Sequence, residues 1–163
     1  ISALSDPNMV GVISKAGVGC ILMHMQGQPQ TMQDQPHYIN VVADVLSYLL
    51  DKAKLAEDAG VSRDQIVIDP GIGFGKTVEH NLEIMNQLNA FVYSGYPVLL
   101  GPSRKSFIGK VLDAEVEDRL AGTLACVGVS IESGIQMVRV HDVQEVHQYI
   151  SMYKAMREDA FRC

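Results

Sequence analysis

Cysteine is scarce in this chain. Cys20, Cys126 and Cys163 are an odd set with no CxxC spacing, which excludes a disulfide framework and a cysteine zinc site and points to a reducing, cytoplasmic setting. No run of basic residues exists, and the net charge is −6, so a nucleic-acid or anionic-membrane surface is excluded; any anion must be bound locally. No apolar stretch approaches the roughly 20 residues that span a bilayer, and no signal peptide is visible. Internal repeats, low-complexity segments and linkers are also absent, as are a Ser-His-Asp arrangement and a cluster of metal ligands.

What is present is ordinary globular usage: 163 residues, 47% apolar and 20% charged, with 14 glycines for short loops. That length suits one domain over residues 1–163. The chain opens on Ile1, and Ile1-Ser2-Ala3-Leu4 reads as the tail of an element that began earlier, so a missing N-terminal part is expected. Ser5-Asp6-Pro7 then caps a helix over about residues 7–15, ended by Gly17. Val18 to Met23 is a continuous apolar run, expected to be a strand covered on both faces. After a polar loop to His37, the spacing of Val42, Leu46, Leu49, Ala53 and Ala56 predicts an amphipathic helix over 38–59.

Further strands are expected over 65–68, 97–101 and 137–142, and helices over 79–88 (with Leu82, Met85 and Leu88 on one side), 116–133 and 143–158. Strands alternate with helices, which implies an α/β fold with a parallel sheet and right-handed crossovers. An open doubly wound sheet and part of an eight-stranded barrel both fit.

In either architecture the strand ends converge on one rim. The central stretch is Ile66-Val67-Ile68-Asp69-Pro70-Gly71-Ile72-Gly73-Phe74-Gly75-Lys76, an apolar strand delivering an acid onto a glycine-rich loop. It lacks the spacing of a dinucleotide fingerprint, and Pro70 stands where a phosphate-binding P-loop needs glycine. The other rim loops hold Met23-His24-Met25, Arg104-Lys105-Ser106 and Arg139-Val140-His141. Arg139 and His141 alternate with Val138 and Val140, so both point to one face, expected to be the buried one, where they need an anion or acid partner. Arg104 and Lys105, among Gly and Ser at a helix start, suit anion binding. His24 reads as a packed core histidine, and His37, His80 and His147 as surface residues.

Four segments in register resemble the dihydropteroate synthase family: Leu22-Met23-His24-Met25 with Gly27 and Pro29; Asp69 to Lys76; Ser103-Arg104-Lys105-Ser106-Phe107-Ile108-Gly109; and Arg139-Val140-His141-Asp142. The resemblance spans nearly the whole chain. It implies the C-terminal half of a (β/α)8 TIM barrel, parallel strands with flanking helices. It further implies a transferase of folate biosynthesis, a sulfonamide target that condenses 4-aminobenzoate with 6-hydroxymethyl-7,8-dihydropterin diphosphate to give 7,8-dihydropteroate and diphosphate.

Carried over by motif, Asp69 accepts hydrogen bonds from the pterin's amino-pyrimidinone edge and Lys105 donates to its carbonyl and ring nitrogen. Met23 and Gly101 line the pterin slot, and Arg139 and His141 hold the diphosphate. Phe74 packs on the aminobenzoate ring, and Ser106 meets its carboxylate. Lys105, Arg139 and His141 are the catalytic group. The resemblance also implies a homodimer through the late helices, to which the small residues of the 116–133 helix are suited. The magnesium site of the family is expected mainly from an early loop that this sequence lacks; an asparagine and an aspartate that grip the pterin in the family are missing as well. Low turnover by this chain alone is therefore expected. Two other readings are another barrel enzyme for a phosphorylated ligand, and a non-catalytic half-barrel that pairs with a second copy.

Overall fold

The computed structural model describes residues 3–27, 30–32 and 35–159. Ile1, Ser2, Pro29 and Cys163, which figure in the sequence reading, lie outside the described residues. The elements run α1 (Met9–Ala16), β1 (Cys20–Met23), α2 (Val41–Asp58), β2 (Ile66–Asp69), α3 (Val78–Asn86), α4 (Leu88–Val92), β3 (Leu99–Leu100), α5 (Ser106–Leu112), α6 (Leu120–Glu132), β4 (Met137–Val138) and α7 (Val143–Asp159). The alternation of strands and helices is as expected. Helices α4 and α5 are additional, and the helix expected over 116–133 is a short 3₁₀ turn, Val116–Asp118, followed by α6.

The strands are parallel throughout. β1 pairs with β2 in the register Cys20↔Ile66 to Met23↔Asp69, and β3 with β4 in the register Leu99↔Met137 and Leu100↔Val138. A single parallel bridge, Ile68↔Val98, joins the two pairs, with the Ile68 N–H donating to Pro97 O at 2.9 Å. Spatial order therefore follows chain order.

Period-two alternation sorts the strand residues onto two faces. Leu22, Ile66, Ile68, Val98 and Leu100 share one face and enter one core with Val45, Leu49 and Ala53 of α2, Ile84 and Met85 of α3, Leu88 and Phe91 of α4, and Phe107 and Ile108 of α5. The opposite face carries Ile21, Met23, Asp69, Leu99 and Gly101. Helices cover one face of this sheet. The expectation that β1 is covered on both faces holds at Met23, which is buried, but not at Ile21, which is 53% exposed and points away from the helices.

The long helix forms much as its periodicity demands. Asn40 caps it, its side chain accepting the Ala43 N–H at 2.9 Å, and Asp44 accepts the N–H groups of Ile39 and Asn40. Val42, Leu49, Ala53 and Ala56 are buried as expected, whereas Leu46 is only partly so. In α3 the buried residues are Asn81, Ile84 and Met85, and the expected Leu82 is 45% exposed. Asn81 displaces it inward because its amide is needed there: Oδ1 accepts the Gly73 N–H at 2.8 Å and Nδ2 donates to Thr77 O at 2.6 Å. The N-terminal cap of α1 also differs, for Asp6 Oδ1 accepts the Asn8 N–H and the helix begins at Met9.

These burial assignments have a direct check by denaturant unfolding. Leu49→Ala should cost about 2–5 kcal/mol by opening a cavity in the core, while Leu82→Ala should stay within about 0.5 kcal/mol of the parent. Equal losses at the two positions would overturn the assignment of the faces.

Candidate functional site

Asp69 ends β2 on the face without helices, and it is 2% exposed. Its Oδ1 accepts the Gly71 N–H at 2.8 Å, a tight turn that starts the glycine loop. Gly71 has φ +69°, and a Cβ there would stand 1.9 Å from His24 O, so only glycine allows this backbone approach. Burial raises the Asp69 pKa above the usual carboxylate range; the Gly71 N–H and the charges of Arg139, Lys76 and Lys105 pull it back.

Lys76 closes the same loop from beneath. Its Nζ lies 3.0 Å from His24 Nδ1 and donates to Gly71 O and Phe74 O, each at 3.0 Å, and the side chain is buried. Placed among rim cations by sequence, Lys76 is instead an internal clamp, because its three partners use its donors away from the cavity. Tyr38 adds a second tie, donating its hydroxyl to Gly75 O at 2.7 Å. Burial pushes the amine down to about 7, against the pull of Asp69 and with help from Lys105. The same burial, with the Lys76 charge, pushes His24 down to about 3, so the imidazole is neutral at pH 7 and can accept the Lys76 hydrogen bond. His24 is thus the packed histidine the sequence suggests.

Beside Asp69 opens a cavity of 420 Å³ lined by Gly101, Ser103, Lys105, Arg139, Val140 and His141. Lys105 Nζ sits 4.0 Å above the Phe74 ring centroid, and its pKa is lowered by burial and by Arg139. Arg139 lies across Gly101: a Cβ at Gly101 would be 3.3 Å from its Nη2. Ser103 Oγ stands 3.0 Å from His141 Nδ1 and accepts the His141 backbone N–H at 3.2 Å.

The structure therefore brings Gly101, Lys105, Arg139 and His141 to one cavity, with the Phe74 ring under Lys105 and Asp69 near enough to feel the charges of Arg139 and Lys105. Met23 is opposite Asp69 in the β1–β2 register and buried. Ser106 is apart from these residues. It begins α5, is exposed, and borders a neighbouring cleft with Pro36, Thr77, Val78, Glu79 and Lys110.

Three further sequence expectations change. Arg139 and His141 share a face, but both are exposed, because β4 ends at Val138 and the two side chains stand at the open mouth beyond it. Arg104 is not an anion ligand, since its guanidinium forks onto Asp142: Nε donates to Oδ2 at 3.0 Å and Nη2 to Oδ1. That ion pair holds the Asp142 carboxyl below the usual range. His80 is partly buried rather than a surface residue, as its ring Nδ1 accepts the Thr77 N–H in the cap of α3. Ser103 figures in the sequence only as the first residue of the family-like motif at 103–109, with no role assigned; its contact with His141 is a finding of the structure.

The depressed Lys76 gives a signed pH effect. Between about pH 7 and 10.5 the unfolded chain holds more protons than the folded one at this residue, so stability rises with pH across that window and the penalty is full below it. Lys76→Met should flatten the rise of unfolding free energy between pH 7 and about 9.5. An unchanged slope in the variant would contradict the clamp's depressed amine.

A family profile described as pterin binding enzyme matches residues 1–141. The dihydropteroate synthase of Haemophilus influenzae is 42% identical over 155 residues, covering 95% of this chain and 56% of that protein. The structure of Yersinia pestis dihydropteroate synthase with a sulfonamide drug complex superposes with a TM-score of 0.93 at 33% identity, over 98% of this chain and 58% of that one. That of the Xanthomonas albilineans enzyme in complex with 7,8-dihydropteroate superposes with a TM-score of 0.89 at 34% identity, over 96% and 57%. The chain spans about half the length of the curated relatives it matches. Because the matched residues include every strand and rim loop described above, the chain belongs to the pterin-binding enzyme family.

Proposed function

We propose that this chain carries a dihydropteroate synthase site, acting on 6-hydroxymethyl-7,8-dihydropterin diphosphate and 4-aminobenzoate. The observation that carries the reading is the buried Asp69 carboxylate within the electrostatic reach of Arg139 and Lys105, which wall a cavity with His141. A carboxylate is the natural acceptor for two adjacent N–H donors, which fits the amino-pyrimidinone edge of a pterin, and a paired contact fixes orientation as well as energy. Lys105 reaches the same heterocycle from the opposite wall, with Met23 and Gly101 shaping the slot. Arg139 and His141, at the open mouth, suit a diphosphate. The Xanthomonas albilineans structure with 7,8-dihydropteroate supports the product.

In this reaction the methylene C–O bond breaks and its electron pair leaves with the diphosphate. Arg139, His141 and Lys105 are already positive or able to donate where that charge develops. The electron-rich pterin stabilises the cationic methylene. The aryl amine then supplies its lone pair to form the C–N bond and releases a proton, with no covalent enzyme intermediate. Phe74 offers an aromatic surface to the aminobenzoate, although Lys105 occupies one side of it. Ser106 at the start of α5 is the proposed contact of the aminobenzoate carboxylate.

The proposed architecture is one domain over residues 1–163, the C-terminal half of a (β/α)8 barrel. Sequential parallel order and a sheet with helices on one face support a barrel segment over an open doubly wound sheet. A homodimer through the late helices and a cytoplasmic setting complete the proposal. Magnesium, implied by the family, does not fit the donors present. Among the described residues no three His, Cys, Asp or Glu side chains gather as ligands, and Asp69 and Asp142 are engaged by Gly71 and Arg104. No step here passes through the metal.

Asp69→Asn should weaken pterin binding by about 1.5–3 kcal/mol, roughly ten- to a hundredfold, by replacing a charged acceptor. Unchanged affinity in a calorimetric titration would refute the pterin assignment. Arg139→Ala should remove about 2–4 kcal/mol of transition-state stabilisation, as the loss of one preorganised electrostatic group does. Diphosphate release at the parent rate would remove Arg139 from the mechanism.

A further inference from the structure

The loops after β3 and β4 form facing walls of the cavity, and two contacts tie them together. Ser103 meets His141 through both its ring and its backbone N–H. One residue further along each loop, Arg104 forks onto Asp142, with the two side chains only 33% and 13% exposed. Arg104 is itself held in an unusual backbone state, φ +55°, which non-glycine residues seldom adopt. Its N–H donates to Thr123 Oγ1 at 3.1 Å, and its carbonyl accepts from Arg119 Nη1 at 3.1 Å. Thr123 is fully buried in α6, so the Arg104 end of the pair is anchored to the body of the protein.

The neighbours of the pair are the residues that matter to the cavity. Lys105 directly follows Arg104, and His141 directly precedes Asp142. A free carboxylate at the edge of an anion site would repel the ligand. Paired with a fork-shaped cation, Asp142 brings no net charge of its own to that edge and serves as a fixed attachment point. We propose that the Arg104–Asp142 ion pair is a positioning brace, setting the separation of the two walls so that Lys105, Arg139 and His141 converge on the diphosphate. This inference rests on the proposed function and adds a pair of residues that touch no substrate.

Charge and position make opposite predictions for Asp142→Asn, which removes a negative charge beside the anion site. Acting through charge alone, it would tighten binding of inorganic diphosphate; acting through the brace, it loosens it. Calorimetric titration with inorganic diphosphate should show about fivefold weaker binding for Asp142→Asn and for Arg104→Lys, the second of which keeps both charges but loses the fork. The double variant should bind no more than about twofold worse than either single one, because the brace is lost only once. Asp142→Glu should recover part of the affinity. Equal or tighter binding by Asp142→Asn, or by Arg104→Lys where the first does not fold, overturns the brace, as does full additivity or a parent that binds no diphosphate. A parallel titration of the parent with a pterin lacking diphosphate separates the two levels. Failure to bind it counts against the proposed function, whereas pterin binding without the expected losses sinks the brace alone.

Discussion

Withdrawing the Asp69 carboxylate from water is the constraint on which the site depends. A carboxylate 2% exposed is stable only if donors and cations stand where solvent stood. One backbone N–H and three cations offset part of that burial here, and each cation is held by a different device. Lys76 is clamped onto His24 and two loop carbonyls, Lys105 rests on the Phe74 ring, and Arg139 lies flat across Gly101. The loop shape, the aromatic and the glycine therefore follow from one buried charge. Burial works in the other direction as well, since it makes both lysines easier to deprotonate and so leaves the charge state of the site responsive to what enters it.

The sheet explains why these groups meet. Register places Met23 opposite Asp69, and the β3–β4 pair carries Gly101 and Arg139 forward on the same face. Helices occupy the other face and supply nearly all the apolar packing, which leaves the ligand side free for polar residues at the strand ends. Core and site are thus separated by the two-residue period of the strands.

The elements were largely legible in the sequence because periodicity reports burial against a core. Val42, Leu49, Ala53 and Ala56 repeat as a helix stripe, and all four are buried. Leu82 broke that logic, since a hydrogen-bonding demand from Gly73 turned Asn81 inward instead, and periodicity weighs hydrophobicity without seeing bonds to a distant loop. Helix α5 offers only about two turns of pattern, and its apolar Val111 and Leu112 are exposed rather than in the core. In the site, the residue types at the strand ends were visible, but their pairings were not. Arg104 looks the same in sequence whether it binds an anion or Asp142, 38 residues on. Lys76 likewise differs from a rim cation only through its hold on His24, on another strand end, and on the Gly71 and Phe74 carbonyls, none of which the residue type reveals.

Parallel pairing carries a kinetic consequence. Cys20 must find Ile66 across an intervening loop and a complete helix, and Leu99 must find Met137 across two more. No hairpin can nucleate this sheet, so its ladders form only after long loops close, which slows folding relative to a helical bundle of similar size. The Asp69 loop, whose clamp joins the ends of β1 and β2, cannot assemble before that closure. Its ordering is consequently a late event, set by the closure of the loop and helix between β1 and β2.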